Sequence, residues 1–218
     1  MDTDFWHERW QAGQIGFHQQ EINPYLTRYW PALILPAGAR ILAPLCGKSR
    51  DMTWLLQQDY QVIGVEISRI AVETFFAENN LIPVIHQEDG FVRFSSTGIE
   101  LLCGDFFALT KDDIGNIDGV YDRAALIALP ASLRQRYATH LSSLINTGCD
   151  CLLITLDYNQ LEMTGPPFAV SADEVARLFG QHFRIESFCS NDVLETHPRF
   201  REAGLARLSE HAYLLTRT

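Results

Sequence analysis

The sequence lacks long apolar runs, paired cysteines and an excess of positive charge, and each shortage excludes a class of protein. No hydrophobic stretch approaches the roughly 18 residues of a membrane span, and the first residues lack the basic and apolar segments of a signal peptide. With 17 Lys and Arg against 27 Asp and Glu, the net charge of −10 repels nucleic acid phosphates. Five cysteines without framework spacing indicate reduced thiols. We therefore expect a cytosolic protein that binds neither membranes nor nucleic acid.

The composition and the hydrophobic pattern favour one α/β domain. The chain has 218 residues, 47% hydrophobic and 20% charged, with no repeat or linker, so we expect a single domain over residues 1–218. Buried apolar runs alternate with amphipathic segments, which predicts a doubly wound, mostly parallel sheet with helices on both faces. The last two strands have no clear helix between them and are predicted to pair antiparallel. One reversed strand is therefore expected.

Strand and cap signals place the elements along the chain. The predicted strands cover residues 40–45, 61–66, 91–95, 99–103, 117–121, 152–156, 183–188 and 212–216. Asn23, Ser68, Ser132 and Ser171 have the residue types of helix N-caps, and a further helix is predicted from Asp51 to Gln58. Residues 1–36 hold three of the four tryptophans and are predicted to form a helical cover.

The turn after the first strand and the acid that ends the second indicate a nucleotide site. Glu66 lies 19 residues after Gly47, where a carboxylate can accept hydrogen bonds from ribose hydroxyls and a glycine lets the backbone approach a ligand. The alternative is that Glu66 is a solvated strand-end residue. A second alternative is a phosphate loop, because Gly47 is followed by Lys48 and Ser49. Leu42 stands where that motif needs its first glycine, which opposes this alternative.

Two more strand ends carry polar residues toward the same predicted edge. Asp105 offers a carboxylate or a backbone carbonyl for an adenine amino group, or else it caps a turn. Arg123 is suited to pair with a ligand carboxylate, or else with Asp122 beside it. An adenine, a ribose, a sulfonium and an amino-acid carboxylate together describe S-adenosylmethionine. A nicotinamide or flavin cofactor would need the glycine-rich pyrophosphate turn that is missing, and the histidines lack metal-ligand spacing.

The motifs, taken together and in order, resemble those of the thiopurine S-methyltransferase family, and in length those of its bacterial members. The stretches that carry the resemblance are Trp6 to Trp10, Gly16 to Gln19, Pro44 to Lys48, Gly64 to Ser68, Asp122 to Leu126 and Gly165 to Phe168. They run nearly from end to end of the chain. The resemblance implies a seven-stranded methyltransferase fold with S-adenosylmethionine as the methyl donor.

The same resemblance implies roles for individual residues. On the cofactor side it places Trp10 near the cofactor, Leu45 at the first turn, Glu66 on the ribose and Arg123 at the cofactor or the substrate. On the substrate side it implies Arg199 and Phe17, with Gly165 to Phe168 helping to cover the pocket. The sequence departs from the family at Gly104 and Asp105, which leaves the adenine contact to the backbone there.

The expected reaction is in-line methyl transfer to a small-molecule thiol. Heteroaromatic thiols such as thiopurines ionise near neutral pH, so a strong base is unnecessary, and Asp122 is the one candidate for it. Arg123 or Arg199 would stabilise the acceptor anion, and the N-terminal segment would act as a lid. Small selenium and tellurium compounds remain open as acceptors. The alternative from another class is a non-catalytic adenosine-binding module. A monomer is expected.

Overall fold

The computed structural model describes residues 3–16 and 18–218, with the side chain of Thr3 left aside. The chain divides into two compact units, Met1–Tyr121 and Asp122–Thr218. Within the described residues it forms nine strands and eight α-helices, with four short 3-10 helices. A single domain over residues 1–218 stays a prediction.

The first unit contains five helices and most of the strands. Its helices are α1 (Thr3–Gln11), α2 (Pro24–Tyr29), α3 (Asp51–Gln57), α4 (Arg69–Glu78) and α5 (Lys111–Ile114). Its strands are β1 (Arg40–Pro44), β2 (Gln61–Glu66), β3 (Val84–Gln87), β4 (Val92–Ser96) and β5 (Ile99–Cys103). Strand β6 (Gly119–Arg123) begins in this unit and ends in the second.

The sheet of the first unit is parallel at its centre. Its order is β3-β4-β5-β2-β1-β6, with β2 parallel to both β1 and β5, and β6 parallel to β1. The central strands β1 and β2 are buried along nearly their whole length, as their continuous apolar runs predict. Strand β4 runs antiparallel to β3 and to β5, which it joins by a two-residue turn at Thr97 and Gly98. The register sets Glu66 beside Cys103, at the ends of β2 and β5.

The second unit has three helices and three strands of its own. These are α6 (Ala131–Leu144), β7 (Asp150–Asp157), α7 (Ala172–Phe179), β8 (Phe183–Asp192), α8 (Pro198–Glu202) and β9 (Ser209–Arg217). Strand β9 lies between β7 and β8 and is antiparallel to both. The predicted antiparallel pairing of the two closing strands is confirmed. Glu210 of β9 stands opposite Leu156 of β7 and Asn191 of β8.

Most of the helix N-caps that the sequence predicts are confirmed. The side chain of Asn23 accepts a hydrogen bond from the backbone N–H of Tyr25, and Ser68 accepts one from Ala71. Ser171 accepts one from Glu174 at the start of α7. Helix α6 differs from the prediction, because it begins at Ala131 after Pro130 and is not capped by Ser132.

Three features of the strands differ from expectation. The structure has nine strands rather than the seven that the resemblance implies, and β3 is the one strand outside the eight predicted segments. Two strands are reversed rather than one, β4 and β9. Strand β6 covers Gly119–Arg123 rather than residues 117–121, so Asp122 and Arg123 belong to the strand instead of following it. The α/β class with a mostly parallel sheet is confirmed.

None of the helices in the described part of the chain has the length and hydrophobicity needed to cross a membrane.

Candidate functional site

Glu66 ends β2 as a buried carboxylate held by backbone amides. The residue is only 5% exposed, so the alternative of a solvated strand end is wrong. Its carboxylate accepts hydrogen bonds from the N–H groups of Gly47 and Ser68, each at 2.8 Å. Burial raises the pKa of Glu66 to about 7, although these backbone donors act to lower it. A carboxylate has about four acceptor positions, so capacity for further donors remains.

The turn after β1 brings Trp10 and Gly47 to this carboxylate. Gly47 has a φ of +54°, and a Cβ added there would lie 3.2 Å from the indole Cζ2 of Trp10. Trp10 itself is 6% exposed. Leu45, two residues earlier, also has a positive φ of 46°, which is uncommon for a residue with a side chain. The structure therefore brings Trp10, Gly47 and Glu66 together around a tight backbone turn.

Lys48 follows this turn but does not offer a free ammonium to a phosphate. Its Nζ forms an ion pair with Glu78 of α4. The nearby Arg50 donates to the backbone carbonyl of Gln20 at 2.9 Å. The structure therefore gives the phosphate-loop alternative no support.

Asp105 follows β5 and caps a short 3-10 helix, Phe106–Ala108. Its carboxylate accepts a hydrogen bond from the N–H of Phe107 at 2.9 Å, and the residue is exposed. The preceding residue, Gly104, donates its N–H to the carbonyl of Glu66 at 3.0 Å. A Cβ on Gly104 would come within 2.6 Å of the carbonyl of Gly90, so the backbone is tightly packed there. Asp105 therefore lies near the end of β2, with its side chain used in a local cap.

Asp122, in the second unit, has a carboxylate that accepts hydrogen bonds from within the protein. It is fully buried, accepting from the hydroxyl of Tyr137 at 2.7 Å through one oxygen and from the N–H of Leu126 at 3.2 Å through the other. Burial raises its pKa to about 6, against the effect of these donors. The hydrogen-bond donors to Asp122 therefore do not include Arg123, which the sequence offered as an alternative partner. Asp122 has no exposure to solvent, which suits a structural role rather than proton transfer to a substrate.

The second unit also brings two arginines within electrostatic reach of each other. The guanidinium of Arg199 lies over the ring of Phe200, 4.5 Å from its centroid. Desolvation there, together with the positive charge of Arg123, lowers the pKa of Arg199.

Sequence reasoning missed Glu210, whose carboxyl group interacts electrostatically with Arg123. Strand β9 was predicted to begin at Ala212, so the acid before it carried no signal beyond its place among apolar residues. It is 8% exposed, and burial raises its pKa while the charges of His197 and Arg123 lower it. A buried carboxylate beside two cations belongs in any description of this region.

Two hydrogen bonds hold the last residues of the Gly165 to Phe168 turn within the second unit. The hydroxyl of Tyr158 donates to the carbonyl of Pro167 at 2.6 Å, and the N–H of Phe168 donates to the carbonyl of Ile127 at 2.7 Å. The Arg134 guanidinium lies 5.8 Å from the centre of the Phe168 ring. Phe17, the other predicted cover residue, lies outside the described residues.

A model of the family named thiopurine S-methyltransferase matches residues 1–218. This chain belongs to that family. It is 51% identical to the thiopurine S-methyltransferase of Nitrosospira multiformis, with both chains covered completely. It is 49% identical to the enzyme of that name from Pseudomonas fluorescens, over 98% of each chain.

Solved structures show the same fold. A SAM-dependent methyltransferase from Anabaena variabilis aligns with 99% of this chain and 95% of its own, at 15% identity and a TM-score of 0.66. A 1,6-didemethyltoxoflavin-N1-methyltransferase from Burkholderia thailandensis, solved with S-adenosylhomocysteine, aligns over 98% and 87%, at 16% identity and the same TM-score of 0.66. The chain is an S-adenosylmethionine-dependent methyltransferase, and the non-catalytic alternative has no support.

The residues at the end of β2 fit an adenosyl group. Glu66 is buried, anionic when it releases its proton, and able to accept more hydrogen bonds than its two backbone donors provide. The left-handed Gly47 beside it carries no side chain that would fill the turn. The two hydroxyl groups of a ribose can donate hydrogen bonds to the remaining acceptor positions of this carboxylate.

Proposed function

We propose that this protein transfers the methyl group of S-adenosylmethionine to the sulfur of heteroaromatic thiols such as thiopurines. Small selenium and tellurium compounds are further candidate acceptors. The observation that carries the proposal is the buried Glu66 carboxylate, held at the end of β2 by two backbone amides with acceptor capacity to spare. The relatives that share half of this sequence bear the name thiopurine S-methyltransferase, which supports the acceptor class.

In this proposal the first unit binds the methyl donor. Glu66 accepts the ribose hydroxyls, and Gly47 and Leu45 let the backbone approach the ligand. Trp10, packed against Gly47, shields the turn from water. Asp105 contributes its backbone near the adenine, because its side chain caps the following helix.

The second unit provides the cations of the acceptor side in this proposal. Arg123 and Arg199 bind the acceptor as an anion. A guanidinium stays protonated in proteins, so both side chains can donate hydrogen bonds to that anion. The family resemblance also allows Arg123 to bind the cofactor, where its partner would be the amino-acid carboxylate. Phe17 and the Gly165 to Phe168 turn cover the acceptor.

The chain's own contribution to the rate is alignment and exclusion of water. S-adenosylmethionine supplies a methyl group activated by its sulfonium charge. Holding the attacking sulfur in line with that group is worth about 7–11 kcal/mol of the barrier. Asp122 is not part of this mechanism, because it has no exposure to solvent and its carboxylate is bound by Tyr137 and Leu126. We propose instead that it holds the chain in place after β6, next to Arg123.

We further propose that the protein is a single-domain monomer of the cytosol. None of the five cysteines forms a disulfide, in keeping with a reducing compartment. Light scattering of the purified chain tests the oligomeric state, and a mass of about twice 24.7 kDa would contradict it.

Methyl transfer is tested with S-adenosylmethionine labelled in the methyl group and 6-mercaptopurine as acceptor. The expected result is labelled S-methyl product in equal amount to S-adenosylhomocysteine. Absence of labelled product, while calorimetry still detects S-adenosylhomocysteine binding, would contradict the acceptor class. Replacing the thiopurine by selenite or tellurite, each with a thiol reductant, tests the wider range.

A further inference from the structure

A cavity of about 240 Å³ lies in the first unit, at the edge of the sheet where the parallel strands begin. Its lining residues are Arg40, Gln61, Val62, Ser95, Ser96, Gly98, Ile99 and Glu100. Gln61 begins β2 and Glu66 ends it, so the cavity lies roughly 16 Å from the proposed ribose site and on the other face of the strand. Pockets for drug-sized ligands measure about 300–1,000 Å³, so this cavity is suited to a smaller molecule.

The strand register directs four polar side chains of the lining to one face of the sheet. Arg40 of β1 lies opposite Gln61 of β2, and Glu100 of β5 lies opposite Ile63, two residues further along β2. Ser95 of β4 lies opposite Glu100. Residues in register point to the same face, as do alternate residues of a strand. Four neighbouring strands therefore each contribute one polar side chain to the same surface.

The guanidinium of Arg40 has a buried donor that no described residue accepts. Its Nε atom is buried and has no hydrogen-bond partner in the part of the chain that the structure describes. Its Nη2 atom lies 3.5 Å from Oε2 of Glu100, which is long for a hydrogen bond. A buried donor without an acceptor is unfavourable, and a ligand oxygen in the cavity would satisfy it.

The charges around the cavity disfavour a simple anion. Arg93 donates to Oε2 of Glu100, the oxygen that also faces Arg40, and none of the described residues donates to Oε1. Arg93 forms a second ion pair with Glu88, so these two arginines and two glutamates sum to zero. The carboxylate of Asp118, which accepts from the backbone N–H of Arg40, adds one negative charge. A ligand for this cavity therefore needs a positive group beside its acceptor.

We propose that this cavity binds a free α-amino acid by its head group, the carboxylate and ammonium that share one carbon. The carboxylate accepts from Nε of Arg40, and the ammonium donates to Oε1 of Glu100. The Ser95 hydroxyl and the Gln61 amide, on the same face of the sheet, are further donors for the carboxylate. This site lies apart from the residues assigned to methyl transfer, and its existence does not depend on the proposed function.

The test titrates the full-length protein with glycine and with L-methionine while S-adenosylhomocysteine is saturating. The saturating ligand prevents either amino acid from entering the part of the cofactor site that holds an amino acid. Backbone amide shifts in NMR spectra report where binding occurs. We expect saturable shifts at Gly98, Ile99 and Glu100, which line the cavity, and none at Gly47 and Ser68, which hold Glu66.

Two analogues of L-methionine test the head group. L-methioninol lacks the carboxylate, and N-acetyl-L-methionine lacks the ammonium. Each loses a hydrogen bond to a charged partner, so each should bind at least about tenfold more weakly than L-methionine.

Three variants test the two charged residues of the lining. Arg40→Lys keeps the positive charge but has no Nε donor, and Glu100→Gln removes the carboxylate. Both should weaken glycine binding about tenfold. Glu88→Gln is the matched control, because it removes the other partner of Arg93 and leaves the lining unchanged. It should bind glycine like the wild type. Affinity for S-adenosylhomocysteine should stay the same in all three variants, which shows that the first unit is intact.

The remaining outcomes overturn the inference. Absence of saturable shifts at the cavity with both glycine and L-methionine would mean that no amino acid binds there. Analogues that bind as well as L-methionine would exclude recognition of the head group. Equal losses in Glu88→Gln and Glu100→Gln would make the effect one of the ion-pair network. If Glu100→Gln does not fold, wild-type affinity for glycine in Arg40→Lys overturns the inference. Failure of methyl transfer contradicts the proposed function and leaves these measurements unaffected.

Discussion

The ends of β2 and β6 each carry a buried acid, yet the two acids are used differently. Glu66 and Asp122 both have pKa values raised by burial, to about 7 and about 6. The donors on Glu66 are backbone amides of the turns at Gly47 and Ser68, whereas those on Asp122 are the Tyr137 hydroxyl and one amide of its own loop. Each carboxylate accepts two hydrogen bonds, but Glu66 is 5% exposed whereas Asp122 is completely buried.

This contrast shows that a raised pKa alone does not identify a functional acid. Burial raises the pKa of both carboxyl groups. The identity of the partners separates them, because Gly47 has no side chain and Tyr137 has a large one. Five predictions follow the contrast, beginning with the acid that we consider structural.

Asp122→Ala should destabilise the protein most. It removes the acceptor of two buried hydrogen bonds, those from the Tyr137 hydroxyl and the Leu126 N–H, at about 1–3 kcal/mol each. Urea unfolding should therefore show a loss of about 4 kcal/mol. Asp122→Asn keeps an acceptor, so it should lose less stability and still methylate 6-mercaptopurine. Loss of turnover in a folded Asp122→Asn protein would restore Asp122 as the catalytic base.

Glu66→Gln should change how stability depends on pH. The folded-state pKa of about 7 lies above the ordinary value of 4.5, so the folded protein binds more protons between these pH values. The contribution of Glu66 is therefore full below pH 4.5 and is lost as the pH rises to about 7, a change of about 3 kcal/mol.

Urea unfolding at pH 4.5, 6 and 7.5 measures this difference between Glu66→Gln and the wild type. The exposed Glu73→Gln, on the helix that follows, is the control and should run parallel to the wild type. Parallel curves for Glu66→Gln would mean that the pKa of Glu66 is ordinary.

Glu66→Ala should weaken binding of S-adenosylhomocysteine by about 1–3 kcal/mol, because the ribose hydroxyls lose a buried acceptor. Isothermal titration calorimetry at pH 7.5 measures the affinity, with Glu73→Ala as the control. Unchanged affinity would refute the ribose role of Glu66.

The sequence predicts those features of the site that residues close to one another along the chain form. Strand β2 and its terminal acid follow from a short apolar run, and Ser68 follows from the residue type that caps a helix. The closure of Asp122 depends on Tyr137, which lies 15 residues away and reaches it only through packing of α6. No local pattern contains that contact.

Sequence reasoning also missed strand β3 and the first residues of β9, and the explanation is similar. Strand β3 is exposed at all four positions, so it shows neither a buried run nor an alternation. The first residues of β9 are buried polar side chains, among them Glu210, and a hydrophobic pattern does not include them. A site residue of this kind becomes visible only when the sheet has been assembled.

Arg199→Ala should raise the KM for thiopurines about tenfold, equal to about 1.4 kcal/mol, because one of two cations facing the acceptor anion is lost. Arg201→Ala is the matched control on the same helix. Its guanidinium pairs with the exposed Glu195, and an exposed pair of this kind contributes little. Steady-state kinetics should therefore separate the two variants. Equal effects would mean that Arg199 is an ordinary surface charge.

Gly47→Ala should have the smallest effect on folding and a selective effect on binding. A left-handed φ of +54° costs an alanine about 1–2 kcal/mol, and its Cβ would press on Trp10 at 3.2 Å. Gly38→Ala separates these causes, because Gly38 has a φ of +77° and nothing within 4 Å of an added Cβ. Both variants should lose similar stability in urea unfolding, whereas only Gly47→Ala should lose affinity for S-adenosylhomocysteine. If Gly38→Ala weakened binding equally, the backbone turn at Gly47 would have no special part in holding the cofactor.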